Sequence, residues 1–355
     1  MKLKIRQTVL VATAAFSVVV LGGCAAVAES EPTTGSDTTS SSETTSAVDA
    51  TGSQLDLAVG IVGEDRNDDI AQYCGTEELT VALADGFGGN AWRAISRAEF
   101  EDEAAKCSNI TEVLYTDAQG DPAKAVSDIQ GLVAQGVDVI VTFADSGEAL
   151  LPAIQQATAA GTVVIPYVSP VGGEAGKDYS VFVAPDLVND GKMWAQWMAE
   201  QLDGEGRVVF LGGTAGNGED PLETQGILEV WKDYPGMELI GGQSVVTGWD
   251  ISKAQKAMAG LLAQNSQIDG IISNYGNGST GAMQAFVQAN RPLVPWAALD
   301  GMLYACTWQG LYASNPNFEM FSTTSRNWLS RNALRKGLAV VNGLDNTEPS
   351  TVNMY

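Results

Sequence analysis

From Leu79 onward, short apolar runs alternate with longer stretches whose apolar positions recur every three to four residues. Residues 80–84 and 111–115 have the β-rich, apolar character of buried strands, and 91–106 reads as a helix between them. In 122–135 the apolar residues Ala125, Ile129, Leu132 and Val133 fall on one helical face. A third strand is predicted over 137–143, a helix over 148–160, a fourth strand over 162–166 and a fifth over 179–183. A second series follows: helix 187–202, strand 206–211, helix 221–234, strand 237–246, helix 251–264, strand 270–273, helix 279–289 and strand 293–299. Strands that alternate with helices imply parallel sheets covered by helices, an α/β fold. Two such series of similar size predict two similar lobes, with ligands bound beyond the carboxyl ends of the strands.

The first residues break this rhythm. Lys2, Lys4 and Arg6 precede an apolar run over 8–20 that is short for a membrane span, which needs about 20 residues. The run ends in Leu21-Gly22-Gly23-Cys24, which resembles the cleavage box of a bacterial lipoprotein signal peptide. On that resemblance 1–23 is a signal peptide, Cys24 is the lipid attachment site, and the body sits at the membrane on the extracytoplasmic face. ATP and nicotinamide cofactors are scarce there. Residues 24–55 follow as a tether, rich in Ser, Thr and acidic residues without apolar periodicity, as in Thr38-Thr39-Ser40-Ser41-Ser42.

Composition narrows the function. The formal charge is −24, from 43 acidic and 19 basic residues, which disfavours nucleic acid as a partner. Without histidine, Ser-His-Asp and Cys-His chemistry and the usual zinc sites fall away, whereas carboxylate-pair hydrolysis survives. Three cysteines remain after Cys24. Cys74 precedes the first strand and Cys107 follows the first helix, which returns antiparallel to the same sheet edge, so the two are the expected disulfide. Cys306 is then left as a buried thiol; three reduced cysteines are the alternative, since export permits pairing without compelling it.

Gly86-Phe87-Gly88-Gly89-Asn90-Ala91 has the form of a dinucleotide-binding turn. Export argues against that use, as do Trp92 and Arg93 in the first helical turn, where a pyrophosphate needs close backbone approach. The second glycine-rich loop, 211–218, lacks the Gly-Lys-Ser/Thr ending of a phosphate loop.

Several short motifs, in order, carry a resemblance: Asp117-Ala118-Gln119-Gly120-Asp121-Pro122-Ala123-Lys124, the Gly136 junction, Trp249-Asp250, Ile268-Asp269-Gly270 and Asp300-Gly301. Across residues 79–345 the body resembles the type I periplasmic sugar-binding proteins, the ribose-binding branch in particular. The resemblance implies two Rossmann-like lobes, 78–185 plus 325–345 and 186–324, joined by three crossovers around a cleft that closes on a sugar. The chain then ends at Tyr355, within or just before the last expected strand.

Position by position, the resemblance implies ligand contacts from Asn90, from Trp92 as a stacking aromatic, and from Arg93 in place of a second aromatic. Trp249 matches the opposite lobe's stacking aromatic, Asn274 or Tyr275 an amide site, and Asp300 a hydroxyl-accepting carboxylate. Asp145, after the third strand, joins this set, and Thr324 stands where ribose binders carry Gln. An Asp-Arg pair is replaced near Val168-Ser169 and an expected arginine near Glu223, which points away from ribose and keeps a polyhydroxylated ligand. Aromatic faces packing on C–H surfaces, with Asp, Asn and Arg on hydroxyls, is the chemistry such a ligand needs. Trp194, Trp197 and Trp231 sit inside helical patterns and read as packing residues.

These readings describe a monomeric, lipid-anchored receptor that hands a sugar to an ABC importer, with no cofactor. A ligand sensor feeding a signalling system is the alternative. A glycosidase built on Asp85 and Asp300 is a third reading, though paired carboxylates also serve as hydroxyl acceptors.

Overall fold

The computed structural model describes residues 55–353, so the signal sequence, Cys24 and the Ser/Thr-rich segment lie outside the described residues. A short strand, β1 (Val62–Gly63), is followed by β2 (Leu79–Asp85), α1 (Ala91–Ala104), β3 (Ile110–Asp117), α2 (Pro122–Ala134), β4 (Val139–Phe143), α3 (Leu151–Ala159) and β5 (Val163–Pro166). These strands build a parallel sheet in the order β3-β2-β4-β5. Its central strands are buried on both faces: Val81, Ala82, Val139, Ile140 and Val141 have essentially no exposure, as expected where helices cover both sides.

After β6 (Ala184–Pro185) come α4 (Leu187–Gln201), β7 (Glu205–Gly212), α5 (Glu219–Trp231), β8 (Gly236–Leu239), β9 (Val245–Val246), α6 (Ile251–Gln264), β10 (Gly270–Ser273), α7 (Gly276–Gln288), β11 (Trp296–Leu299), α8 (Met302–Tyr312) and β12 (Met320–Thr323). They form a second parallel sheet, β12-β11-β10-β7-β8, with β9 also on β7. Helix α9 (Leu329–Val341) returns to the first lobe, where Leu329, Ala333, Leu334 and Leu338 join one core with Val139, Val141 and Ile165. The last strand, β13 (Thr351–Val352), lies between β1 and β6 in a small parallel sheet where the crossing segments meet. Trp194 and Trp231 are buried in the second lobe's core, and Trp197 packs partly buried against it.

Several sequence expectations shift. Residues 179–183 are not a fifth strand: Val183 makes only an isolated bridge to Tyr167, and the pairing strand is β6 in the crossover sheet. The run over 237–246 is two strands, β8 and β9, separated by a turn at Gly241 and Gly242. The strand expected from 293 starts at Trp296, directly after Pro295, which has no N–H to give a ladder. The helix expected from 148 opens as a 3-10 turn, Gly147–Leu150, because Pro152 suits only the first turn of α3. Residues before Leu79 also belong to the first lobe, with Leu55, Leu57, Ile70 and Tyr73 in its core. Cys74 and Cys107 form a disulfide with a Cα separation of 5.4 Å. Cys306 is exposed on α8, not buried, because among the residues of that helix only Tyr304 turns fully inward.

Candidate functional site

The carboxyl ends of both sheets meet at a cleft. On the first lobe, β2 delivers Asp85 and the following loop turns into α1, where the Asn90 side chain accepts the Arg93 N–H at 3.1 Å and caps the helix. That first turn carries Trp92 and Arg93 inward. Arg93 donates to Asp85 Oδ1 and Asp145 Oδ1, both at 2.8 Å, and all three are buried. Its guanidinium carbon lies 3.2 Å from the centroid of the Phe143 ring. A Cβ on Gly86 would fall 2.2 Å from Asp145 Oδ2, so the glycine loop makes room for this carboxylate.

Phe143 is the hub of an aromatic cluster, edge-on to Trp92 and Tyr167 at 5.5 Å each and to Trp249 at 6.0 Å. Trp249 has a left-handed backbone, φ +50°, uncommon for a bulky residue, and donates its indole N–H to Asn274 Oδ1 at 3.0 Å. A Cβ on Gly213 would sit 2.2 Å from that ring, so glycine is required there. On the second lobe, Asn274 at the end of β10 donates to Asp220 Oδ1 and Glu223 Oε2, each at 2.8 Å. Asp220 also accepts from Gly213 N–H and the Ser244 hydroxyl. Asn217 Oδ1 accepts the N–H groups of Glu219 and Asp220, opening α5.

Between these walls lies a small cavity. Asn90, Trp92, Arg93, Phe143, Val168, Glu219, Trp249, Asn274, Tyr275, Leu299, Ser325 and Arg326 line it. The lobes touch beside it, where the Thr214 hydroxyl donates to the Asp145 carbonyl at 2.8 Å, and the Trp92 indole donates to the Ser325 carbonyl in the returning crossover at 2.5 Å. Arg326 is paired with buried Asp190.

The electrostatics are lopsided. Burial raises the carboxyls of Asp85 and Asp190, that of Asp145 to about 7 and that of Glu219 to about 8, and it holds Glu223 well above the ordinary range. The Arg93 charge lowers Asp85, Asp145 and Glu219 without overcoming burial. Burial works against the charge on Arg93 itself, and Asp145 and Asp85 outweigh it. One carboxyl oxygen on each of Asp85, Asp145, Asp190, Glu219 and Glu223 is buried without a hydrogen-bond partner in the protein.

Six of the expected ligand residues are thus brought to one cavity: Asn90, Trp92, Arg93, Trp249, Asn274 and Tyr275. Asp145 sits behind Arg93 and lines an adjoining recess with Gly86 and Thr214. Asp300 and Thr324 do not line the cavity. Asp300 is exposed and accepts the Ser325 N–H at 2.8 Å, while its neighbour Leu299, the last residue of β11, supplies the wall. The Thr324 hydroxyl accepts the Arg326 N–H at 3.4 Å. Asp85 and Asp300 share no cavity, since Asp85 is held under Arg93. Phe143, Glu219, Leu299, Ser325 and Arg326 are additions that sequence reasoning missed, and Val168, read there only as marking a replaced Asp-Arg pair, lines the cavity with them. Glu219 and Asp220 look in sequence like the acidic first turn of any helix, and Arg326 follows a strand that the pattern did not reveal. The departure near Glu223 is the signal that could have drawn attention to α5.

Among the described residues no cluster of Cys, Asp or Glu is arranged to hold a metal ion, and no helix is long and apolar enough to cross a membrane.

A family model, "Periplasmic binding protein domain", matches residues 81–317. The chain is similar to a xylitol-binding protein of Mycolicibacterium smegmatis, 29% identical over 202 residues that cover 57% of this chain and 56% of the relative. It is also similar to a ribose import binding protein of Bacillus subtilis, 25% identical over 218 residues, 61% of this chain and 68% of that one. The match to the first of these spans little more than half of the relative's length. Among solved structures, an ABC transporter solute binding protein from Thermobispora bispora shares the fold, with a TM-score of 0.67, 24% identity and coverage of 78% of this chain and 84% of that one. With well over half of its length matched, the chain belongs to the periplasmic binding protein family, in its type I, ribose-binding-like branch.

Proposed function

We propose that this protein is an extracytoplasmic receptor that binds a sugar or sugar-like polyol between its lobes. The carrying observation is the cavity itself: Trp92, Phe143 and Trp249 supply apolar faces while Asn90, Arg93, Asn274 and Arg326 supply polar edges, from both sides of the cleft. Such a ligand would bridge the lobes beside the point where Thr214 already meets Asp145. Binding would then favour the closed form by its differential affinity for that form, and no bond need be made or broken. Family membership and the names of the relatives, xylitol-binding and ribose import binding, support this reading.

The finer role we infer is delivery to an ABC importer by a receptor anchored through Cys24. The cleavage-box resemblance at 21–24 and the importer-linked names of relatives support it. Cys24→Ala is expected to abolish incorporation of a tagged fatty acid; equal labelling would refute the anchor.

The cleft is tested by thermal-shift and calorimetric titration against pentoses, hexoses, furanoses and polyols. A bound ligand at 100-fold excess over Kd stabilises the fold by about 2.7 kcal/mol. Trp92→Ala is expected to weaken binding at least tenfold, about 1.4 kcal/mol, with unchanged circular dichroism. Wild-type affinity in Trp92→Ala would place the ligand elsewhere.

A further inference from the structure

Charge in the cleft does not close within the protein. Arg93 faces two carboxylates, Asp85 and Asp145, and Arg326 faces one, Asp190. That uses both guanidinium groups of the cavity wall. Glu219, Asp220 and Glu223 then remain with uncharged donors. Asp220 has its own set in Gly213 N–H, Ser244 and Asn274, and Glu223 has Asn274. Glu219 has none on its buried Oε1, although the residue is 5% exposed and lines the cavity. A buried polar group left unpaired is costly, and more so when it is charged. A carboxyl so placed can accept a hydroxyl or an ammonium, and only the ammonium brings the positive charge that neither engaged guanidinium of the wall supplies.

From this unpartnered carboxyl in an otherwise polyol-like cleft, we infer that the ligand is an amino-substituted sugar or polyol whose ammonium group sits on Glu219. The inference rests on the polyol reading above and narrows it. The aromatic walls would take the ring or chain, Asn90 and Asn274 its hydroxyls, and Glu219 its cation through a charge-assisted hydrogen bond. The groups that face Glu219 fit this division. Asp145, Asp220 and Glu223 add negative charge, Arg93 and Arg326 are already engaged, and Tyr275 is a neutral wall. With its carboxyl raised to about 8, Glu219 holds a proton near neutrality, and an arriving ammonium would displace it.

The experiment is calorimetric titration of the wild-type protein with matched pairs: D-glucosamine and D-glucose, D-galactosamine and D-galactose, 1-amino-1-deoxy-D-sorbitol and D-sorbitol, an amino-deoxy-inositol and myo-inositol. For the pair that binds, the amine is expected to bind at least tenfold tighter than its hydroxyl parent. It should release a proton, read from the buffer dependence of the heat, and N-acetylation should abolish the advantage. In Glu219→Gln the amine-over-hydroxyl ratio should fall to about one, and Glu219→Asp should restore part of it. A hydroxyl parent that binds as tightly as its amine, without proton release, overturns the inference and leaves the polyol receptor standing. Binding by no member of any pair overturns the inference, and the polyol reading falls with it only if the pentoses, furanoses and other polyols of the panel above also fail to bind. The wild-type titrations decide between these outcomes even if a variant fails to fold.

Discussion

Two regions of this molecule bury charge, and they do it in opposite ways. Where the crossing segments meet, Arg335 donates to Glu348 through Nε and Nη2, the latter at 2.7 Å, and to Glu103 Oε1 at 2.9 Å. Lys336 donates to the carbonyls of Leu57 and Asn346 at 2.7 Å each and to that of Glu348. Asn346 completes the set on Glu348, and none of these side chains has an unpartnered buried atom. In the cleft, five carboxylates each retain one. A closed network holds a shape; an open one keeps capacity for a group the protein does not itself contain. The crossover cluster ties residues 55–68 to α9 and to 346–348, segments far apart in sequence, and so fixes the frame on which the lobes are hung.

The largest effect should come from breaking the closed network. Glu348→Ala leaves Arg335 buried without the carboxylate that accepts from its Nε and Nη2, while Lys336 keeps its three backbone carbonyls, and removing one partner of a buried ion pair costs about 3–5 kcal/mol. Urea denaturation should register a loss of that size. Replacing Arg335 and Glu348 together by Met and Leu should cost far less, because the ion pair leaves together, Glu103 keeps Lys106 and Arg331, and Lys336 keeps its backbone carbonyls. If the single and double variants are equally unstable, packing at this site dominates and the contrast with the cleft is wrong.

A smaller loss should follow reduction of the disulfide. Cys74 sits beside the crossover frame, where Asn342 Nδ2 donates to the carbonyls of Tyr73 and Cys74. The bond closes a 33-residue separation, for which chain entropy predicts about 3–4 kcal/mol. The Cys74→Ala, Cys107→Ala double variant should lower Tm, while ligand affinity stays within twofold because the bond lies at the sheet edge away from the cleft. Loss of affinity would show that the frame and the cleft are coupled.

The contrast between the regions was only half legible in the sequence. Apolar periodicity located most strands and helices, since burial on both faces leaves unbroken runs such as Val139–Phe143. Asn90, Trp92 and Arg93 were expected from the resemblance to the sugar-binding family, and the loop from β2 into the first turn of α1 brings all three to the cavity. Arg326 and Glu219 were not, as each becomes part of the cleft only through a partner more than fifty residues away, Asp190 for one and the facing wall for the other. The crossover network was hidden for the same reason. Glu103 reads as one more acidic residue in an acidic helix until Arg335 arrives beside it from 232 residues on. Asp300, just past the end of β11, is exposed and holds the Ser325 N–H, so it is not among the residues that line the cavity.

Acidity separates the two regions most finely. In the cleft, Asp145 and Glu219 have folded-state pKa values of about 7 and about 8, above the ordinary 3.8 and 4.5. Between about pH 5 and 7 the unfolded chain has released both protons and the folded protein keeps them. Their contribution is therefore complete below the ordinary carboxylate range and is lost as pH rises through the folded values, at up to about 1.4 kcal/mol per pH unit for each proton held. Glu103 in the crossover cluster runs the other way. Burial opposes its charge, but Lys106, Arg335 and Arg331 outweigh it and hold its pKa below the ordinary value, so its contribution is lost as pH falls. Burial lowers Lys336 to about 7, which adds stability with rising pH only above neutrality and leaves the pH 5–7 window to the cleft. The stability of the ligand-free protein, measured by urea denaturation at pH 5, 6 and 7, should therefore decline across the window. In Glu219→Gln, which keeps the shape and has no proton to lose, the decline should be shallower by up to about 1.4 kcal/mol per pH unit. A wild-type slope left intact in that variant would mean that the cleft carboxyl is already ionised and satisfied, and the two buried networks would then be alike.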